Sequence, residues 1–326
     1  MADRQHLTSP AASGETRVAC DRVVFTSLPS PTGEGYRVVS ASSGVRTQER
    51  TEITRRSPSH GALCSTASDA RAVAISTLAT GRVCVSLSRL AGEEHTGRGG
   101  RVWTDVVLVD APDFIRAGGC PGTFAEAVAS APLAAAKLGP SIEKVTLPAT
   151  AANRRVCSRP AVVQGVRDGT LAAMAALLLE RCSCVVAVAD PVAALEGALM
   201  LLPLALRGEL NVSAGLRFAN SRRVTFCVVE QIDVDTRRAT RGHPVALLAG
   251  DDLAGRSLGI LGPWLELMMR WWSEERVGEA IALADSLQVG WSPREILEVA
   301  AVCEAIDRHE EDPERLEALL ARRAAA

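Results

Sequence analysis

The distribution of apolar and polar residues predicts a β-hairpin near the start of the chain. The segments "RVVFTSL" (22–28) and "YRVVSAS" (36–42) are rich in β-branched and aromatic residues, which are typical of strands. The stretch between them, residues 29–35, contains two prolines and two glycines, which are typical of a turn. We therefore expect two paired strands and a connection that leaves the body of the sheet.

Three more strands are predicted before residue 110. "RAVAISTL" (71–78) and "RVCVSLSRL" (82–90) are separated by a short turn in which Gly81 is free to adopt a positive φ, so they predict a second hairpin. A glycine-rich loop, residues 93–101, then precedes the strand 102–109, which is almost continuously apolar in its second half and is expected to be buried. Asp113 is expected to cap a short helix after it.

The pattern changes to alternating helices and strands after residue 167. A helix is predicted over 168–182, then a buried strand over 183–190, then an apolar helix that begins at Pro191 and extends to residue 210. Two strands follow, and we expect them to form a hairpin that turns at Asn220 and Ser221. This order is typical of an α/β layer.

The C-terminal region has helical periodicity. One apolar face is expected on its first helix, with residues at i, i+3, i+4, i+7 and i+8: Trp264, Leu267, Met268, Trp271 and Trp272. Ser292 with Glu295 predicts a capping box for the next helix, and a third helix starts at an Asp-Pro pair. These helices are expected to form a small bundle or to dock back onto the sheet.

The expected fold class is therefore α/β (α+β), with a β-rich N-terminal part with hairpins, an α/β middle layer and a helical C-terminal extension. We expect a flexible tail over residues 1–20, an α/β domain over 21–250 with a possible internal break near 120–160, and a helical region over 251–326.

Composition narrows the functional classes. The chain has 326 residues and a formal net charge of −2, whereas a general nucleic-acid binder usually has a clear basic excess. The longest apolar stretch is interrupted by Glu196 and Pro203 and is too short to span a membrane. The N-terminus has no apolar core of a secretory signal. We expect a soluble, cytoplasmic protein that binds no nucleic acid.

The metal-ligating residue types are not arranged as a site. Nine cysteines are scattered along the chain without a C-x-x-C pair, and the five histidines are isolated. We therefore expect reduced thiols, no metal and no cofactor.

Two glycine-containing loops and one acidic pair are the candidates for chemistry. Residues 29–35 match no phosphate-binding motif, and prolines remove backbone donors, so a hairpin connection or partner loop is favoured. His95 in the loop 93–101 could act as a base, but a solvated loop is the simpler interpretation. Asp251 and Asp252 could hold Mg²⁺, but capping a helix is favoured. No catalytic residue is assigned.

Three segments resemble the N-terminal domain of bacterial GTPase-associated proteins. They are "VVFTSLPSPTGEGYRVVSASSGV", "SLSRLAGEEHTGRGGRVWTDVVLVDAPDF" and "LMLLPLALRGELNVSAGLRFANSRRVTFCVVE". The chain departs from the family pattern at Thr104 and Asp105, where an aromatic residue or histidine is expected, and at His95, near the acidic position of the loop. The resemblance implies a non-catalytic component encoded with GTPases in multi-protein defence or signalling systems.

The leading hypothesis is an adaptor or regulator that binds a GTPase or another protein of the same gene cluster. The residues expected to bind the partner lie in the two loops and in the tryptophan pair: Pro31, Gly33, Gly35, Tyr36, His95, Arg98, Arg101, Trp271 and Trp272. Core packing is the alternative for the tryptophans, although adjacent residues cannot easily face the same way, so one of the pair is expected at an interface. The alternative functions are a hydrolase or nucleotide-processing enzyme that uses His95 with Asp251 or Asp252, and a structural assembly subunit.

Overall fold

A computed structural model describes residues 17–29, 35–93, 99–133, 138–148, 168–288 and 290–324. The strands within these residues are β1 (Arg17–Ser27), β2 (Tyr36–Ala41), β3 (Arg71–Thr77), β4 (Val83–Glu93), β5 (Gly100–Val109), β6 (Val145–Pro148), β7 (Cys184–Ala187), β8 (Val212–Ala214), β9 (Phe226–Val229) and β10 (Ala246–Ala249). The helices are α1 (Thr47–Arg56), α2 (Ala111–Arg116), α3 (Pro121–Ser130), α4 (Asp168–Leu179), α5 (Pro191–Met200), α6 (Val234–Thr240), α7 (Gly262–Ser273), α8 (Val277–Ser286), α9 (Pro293–Asp307) and α10 (Pro313–Ala324).

The strands form one mixed sheet in the order β10-β7-β9-β8-β3-β4-β5-β1-β2, with β6 paired to β1. The half from β3 to β2 is antiparallel and is built from the predicted hairpins. The half from β10 to β8 is parallel and alternates with helices. The two halves join where β3 pairs antiparallel with β8. The predicted α/β class with a helical C-terminal region is confirmed.

The predicted hairpin of β8 and β9 is wrong, because these strands run parallel. After β8 the chain turns at Gly215, which has φ +75 and would place a Cβ only 2.5 Å from the Arg71 carbonyl oxygen. Leu216 then forms an antiparallel bridge with Leu63, and the segment returns through the turn Asn220–Arg222 to the edge where β8 began. The parallel direction of β9 therefore depends on the pairing of Leu216 with Leu63, which is distant in sequence. A local turn pattern cannot indicate such a pairing.

The C-terminal helices dock onto the α/β layer. Trp264 of α7 is fully buried in the main core cluster, together with Leu171 and Met174 of α4 and Leu195 of α5. Its indole N–H donates a hydrogen bond of 2.8 Å to the Leu201 carbonyl after α5. The predicted capping box is also present at the start of α9.

Several boundaries differ from the prediction. Helix α2 begins at Ala111 after Asp110, so Asp113 lies in its first turn instead of capping it. Helix α5 ends at Met200 rather than at residue 210, because the chain bends before Pro203. Strand β1 begins at Arg17 and pairs there with β6, so its first four residues lie within the range assigned to the tail. The sequence pattern did not indicate β6, β10, α6 or α8.

Crossing a membrane requires a helix that is both long and apolar. Within the described ranges, every helix is too short or too polar to cross a lipid bilayer.

Candidate functional site

The two loops that the sequence singled out leave the sheet at one edge. Strand β1 lies between β2 and β5 and is antiparallel to both, with Ser27 opposite Tyr36 and Thr26 opposite Trp103. The carboxyl end of β1, the start of β2 and the start of β5 therefore lie side by side. We call this the hairpin edge and define it by the described residues Gly35, Tyr36, Gly99, Gly100 and Arg101. The loop residues 30–34 and 94–98 between these strands lie outside the described residues, and with them Pro31, Gly33, His95 and Arg98.

Tyr36 joins the two hairpins across β1. Its hydroxyl oxygen accepts a hydrogen bond of 3.0 Å from the Val102 backbone N–H on β5. Its ring stacks on Phe25 of β1, with 5.9 Å between the ring centroids. The Thr26 hydroxyl donates to the Val102 carbonyl at 2.8 Å. Side chains from β1 and β2 thus form hydrogen bonds with both the N–H and the carbonyl of Val102. These contacts fix the two hairpins relative to each other.

Arg101 is engaged within its own hairpin. The β4–β5 ladder has a bulge after Leu90, where Gly92 has φ +79. The guanidinium of Arg101 donates from Nε at 3.0 Å and from Nη2 at 2.7 Å to the carbonyl oxygen of Ala91. The bulge leaves this partly buried carbonyl without a ladder partner, so the contact with Arg101 stabilises the bulge. Arg101 therefore positions the loop as well as being a candidate contact residue.

Gly35 and Gly99 both have positive φ, of +113 and +107. A Cβ at Gly35 would have no heavy atom within 4 Å, whereas one at Gly99 would lie 3.1 Å from Cε1 of His60. Gly35 therefore has open space beside it at the hairpin edge, and Gly99 permits a close approach of His60.

The family departures at Thr104 and Asp105 have structural roles. Asp105 is buried, and its Oδ1 accepts from Nε of Arg22 at 3.0 Å and from Nη2 at 2.5 Å. Its Oδ2 accepts from the Trp103 indole N–H at 2.8 Å. Thr104 shares a hydrogen bond of 2.9 Å with the hydroxyl of Ser88. These residues form a satisfied polar network within the sheet rather than an open site.

The tryptophan pair lies on α7, which packs against α4, α8 and α9. Trp271 is 5% exposed and donates its indole N–H to Oδ2 of Asp307 at 2.7 Å, with Arg276 stacked on the ring at 4.3 Å. Trp272 is half-buried and packs against the core, and its indole nitrogen is buried with no hydrogen-bond partner among the described residues. The structure does not bring the tryptophans together with the hairpin edge.

The enzyme hypothesis needs His95 to meet Asp251 or Asp252. Both aspartates are exposed in the 3₁₀ turn Gly250–Leu253 that follows β10. The loop that contains His95 follows β4, which is five strand positions away from β10 in the sheet. His95 itself lies outside the described residues, so the enzyme hypothesis stays a prediction. The part of the chain that the structure describes also contains no cluster of three metal-ligating side chains.

The parallel half of the sheet has a topological switch point that the sequence did not reveal. The connections after β7 and β9 lead to opposite faces of the sheet, through α5 and α6, whereas the carboxyl ends of the two strands lie side by side. Asp190 caps α5 by accepting from the Ala193 N–H at 3.0 Å. Nearby Glu196 has a pKa raised to about 7, chiefly by burial and then by the charge of Asp190. Arg217 lies near the end of β9 and forms ion pairs with Asp233 and Asp235.

The buried thiols of the described residues are poor nucleophiles where their pKa is raised. The eight cysteines in the described ranges form no disulfide with one another, and most are buried. Burial raises the pKa of Cys20, Cys184, Cys227 and Cys303 to about 12, so these thiols stay protonated at neutral pH.

Comparison with known proteins supports the resemblance found in the sequence. Residues 20–120 match the family model of GTPase-associated protein 1, N-terminal domain type 2. The matched segment runs from β1 to the end of α2 and so includes both hairpins of the hairpin edge. No curated protein and no solved structure matches the chain.

Proposed function

We propose that this protein is a non-catalytic adaptor or regulator that binds a GTPase, or another protein of the same gene cluster, in a bacterial defence or signalling system. The match over residues 20–120 supports association with a GTPase system. We assign the hairpin edge as the docking surface and the C-terminal helices as a packing layer.

The observation that carries this proposal is the shared position of the two hairpin loops. A partner that contacts one loop meets the other at the same edge, because β1, β2 and β5 are adjacent. Tyr36 and Arg101 fix the two strand ends, so little ordering of the scaffold is needed on binding. Loops that are held by a rigid sheet are a common arrangement for binding surfaces.

Binding to the GTPase encoded beside this chain tests the proposal. The affinity is measured by calorimetry with the GTPase loaded with GDP and with a non-hydrolysable GTP analogue. Replacing residues 30–34 by glycine and serine is expected to weaken binding at least about tenfold, the scale of losing one interface hot spot. The matched control is Arg50→Ala, an exposed position on α1, the helix that follows the carboxyl end of β2, away from the hairpin edge.

The outcomes separate the docking surface from the partner. Equal losses in both variants would contradict the hairpin edge as the docking surface. Absence of association in every nucleotide state would contradict a GTPase as the partner.

A further inference from the structure

The outward face of helix α6 carries an unusual set of side chains. Val234 begins the helix and is 73% exposed, although it is apolar. Arg237, Arg238 and Arg241 follow at i+3, i+4 and i+7, the spacing that places side chains on one face of a helix. All three arginines are exposed, whereas Thr236 and Thr240 on the other face are buried. We call these four outward residues the arginine face.

The positive charge of this face is not compensated within the described structure. The two acidic residues of the helix start, Asp233 and Asp235, are both paired with Arg217. Asp233 also caps the helix by accepting from the Thr236 N–H at 2.7 Å. Arg237, Arg238 and Arg241 form no ion pair or side-chain hydrogen bond with any described residue.

The turn before β9 extends the basic surface. The side-chain amide of Asn220 lies 2.6 Å from Nε2 of His243 and 3.4 Å from the Ala239 carbonyl oxygen, so this turn packs against the end of α6. Arg223 closes the turn in the left-handed region, with φ +55, and is exposed. Between residues 217 and 241 the chain has six arginines and three acidic residues, in a protein whose net charge is −2.

Stability of the helix alone does not account for this arrangement. A basic residue in the last turn interacts favourably with the helix dipole, by about 0.3–1 kcal/mol. Like charges four residues apart oppose this by about 0.2–0.5 kcal/mol for each pair. The arginines gain no packing in compensation, because they contact solvent, and the exposed Val234 beside them gains nothing from burial.

We infer that the arginine face is a docking surface for an acidic segment of polypeptide. Arginine is enriched at protein interfaces, and an aliphatic side chain at the end of a basic strip supplies an apolar contact that such a segment can cover. The face contains no aromatic side chain on which a nucleic-acid base could stack. The surface is distinct from the hairpin edge, since α6 follows β9 in the other half of the sheet, and it does not depend on the identity of a GTPase.

Fluorescence anisotropy with a labelled decapeptide of glutamate tests the inference. The full-length protein is expected to bind this probe at 50 mM salt and to bind it more weakly at 200 mM, because screening shortens the reach of charge interactions. The double variant Arg237→Gln/Arg238→Gln is expected to weaken binding at least about fivefold. Glutamine is chosen because it keeps a high helix propensity.

The matched control is Arg294→Gln/Arg322→Gln, which removes the same charge from two exposed arginines on α9 and α10, helices that pack on the other side of the sheet from α6. Circular dichroism and the thermal midpoint establish that both variants are folded. A labelled ten-nucleotide oligothymidylate serves as the nucleic-acid comparison.

Loss of peptide binding in the α6 variant alone supports the inference. Three results would overturn it: no binding of the peptide at low salt, an equal loss in the control variant on α9 and α10, or tighter binding of the oligothymidylate than of the peptide.

Discussion

The indole N–H of Trp271 donates a hydrogen bond of 2.7 Å to Oδ2 of Asp307, which joins α7 to the last residue of α9. Nη1 of Arg276 donates to the other carboxylate oxygen at 2.9 Å, and its guanidinium stacks on the Trp271 ring. One carboxylate thus satisfies a buried indole and a stacked cation together. Trp271 therefore holds the C-terminal helices together, and its apolar periodicity reflects a packing role.

This carboxylate makes stability depend on pH. Burial disfavours the charged form of Asp307, but hydrogen bonds from Trp271 and Arg276 and the nearby positive charge outweigh it, so its pKa is lowered. A lowered pKa contributes stability that is present above about pH 4, the unfolded value, and is lost as the pH falls through the folded value.

We expect Asp307→Asn to lose about 1.5–3 kcal/mol at pH 7, the range for hydrogen bonds to a charged group. We also expect the free energy of unfolding of the variant to change less with pH between about pH 5 and 3. Urea midpoints across this range measure the effect. Glu298→Gln, at an exposed position on the same helix, is the control; equal pH slopes in the wild type and Asp307→Asn would contradict the assignment.

Arg207 is the second polar residue on which the packing of the helices depends. It is 2% exposed, and its guanidinium donates to the carbonyl oxygens of Leu202 and Gly118 and pairs with Asp285 of α8 at 3.3 Å. We expect Arg207→Lys to lose about 3–5 kcal/mol, because one ammonium cannot reach these groups together and a buried carboxylate is left poorly paired.

Chemical denaturation measures this loss. Arg181→Ala breaks an exposed ion pair with Glu209 and is expected to cost no more than about 1 kcal/mol. If Arg207→Lys were as stable as Arg181→Ala, the several donors of the Arg207 guanidinium would not be needed for stability.

The predictable part of the fold is the part with local signals. Gly81 has φ +83 in the β3–β4 turn, and Ser292 with Glu295 forms the capping box, as their sequence context indicates. Both features depend on residues within a few positions of each other. The hairpins of the N-terminal half follow from the same kind of short-range pattern.

The features that could not be predicted depend on distant partners. Strand β9 pairs parallel to β8 because Leu216 bridges Leu63, more than 150 positions earlier. Periodicity identified Trp271 as apolar but could not identify Asp307 as its partner. Strand β10 has only four residues and is partly exposed, so its pattern was too weak to recognise.

In the candidate site, too, local features can be predicted and features that depend on distant partners cannot. The two loops were recognisable from their glycines and prolines, but their common edge follows only from the sheet order. The sequence pattern predicts Arg101 as a contact residue but does not predict that its guanidinium binds the Ala91 carbonyl, because the bulge after Leu90 depends on how β4 pairs with β5.

Tyr36→Phe tests the connection between the hairpins. The variant keeps the ring stacked on Phe25 but leaves the Val102 N–H without its acceptor. We expect a loss of about 0.5–1.5 kcal/mol in the free energy of unfolding and faster exchange of the Val102 amide hydrogen. Unchanged exchange at this amide would show that the hydroxyl does not hold the edge.

The Arg22–Asp105 pair predicts strong coupling between two buried positions. Each side chain is about 3% exposed, and Arg22 also donates to the Ala131 carbonyl after α3. We expect Arg22→Met and Asp105→Leu each to lose about 3–5 kcal/mol, because each leaves an unpaired charge, and the double variant to lose far less than the sum. Additive losses in a double-mutant cycle would contradict this coupling.

Glu196 predicts the opposite pH dependence from that of Asp307. Burial, and then the charge of Asp190, raise its pKa to about 7, although Arg71 acts against the shift. Between about pH 4.3, the unfolded value, and pH 7 the folded state holds a proton that the unfolded state has released, so stability falls as the pH rises through this window.

Glu196→Gln mimics the protonated form and should remove this dependence of stability on pH. The variant is therefore expected to be more stable than the wild type at pH 8 and similar to it at pH 4.5. Urea midpoints at these two values measure the difference, with Glu180→Gln as the control on the same side of the sheet. A wild type whose stability is constant from pH 4.5 to 8 would contradict the raised pKa.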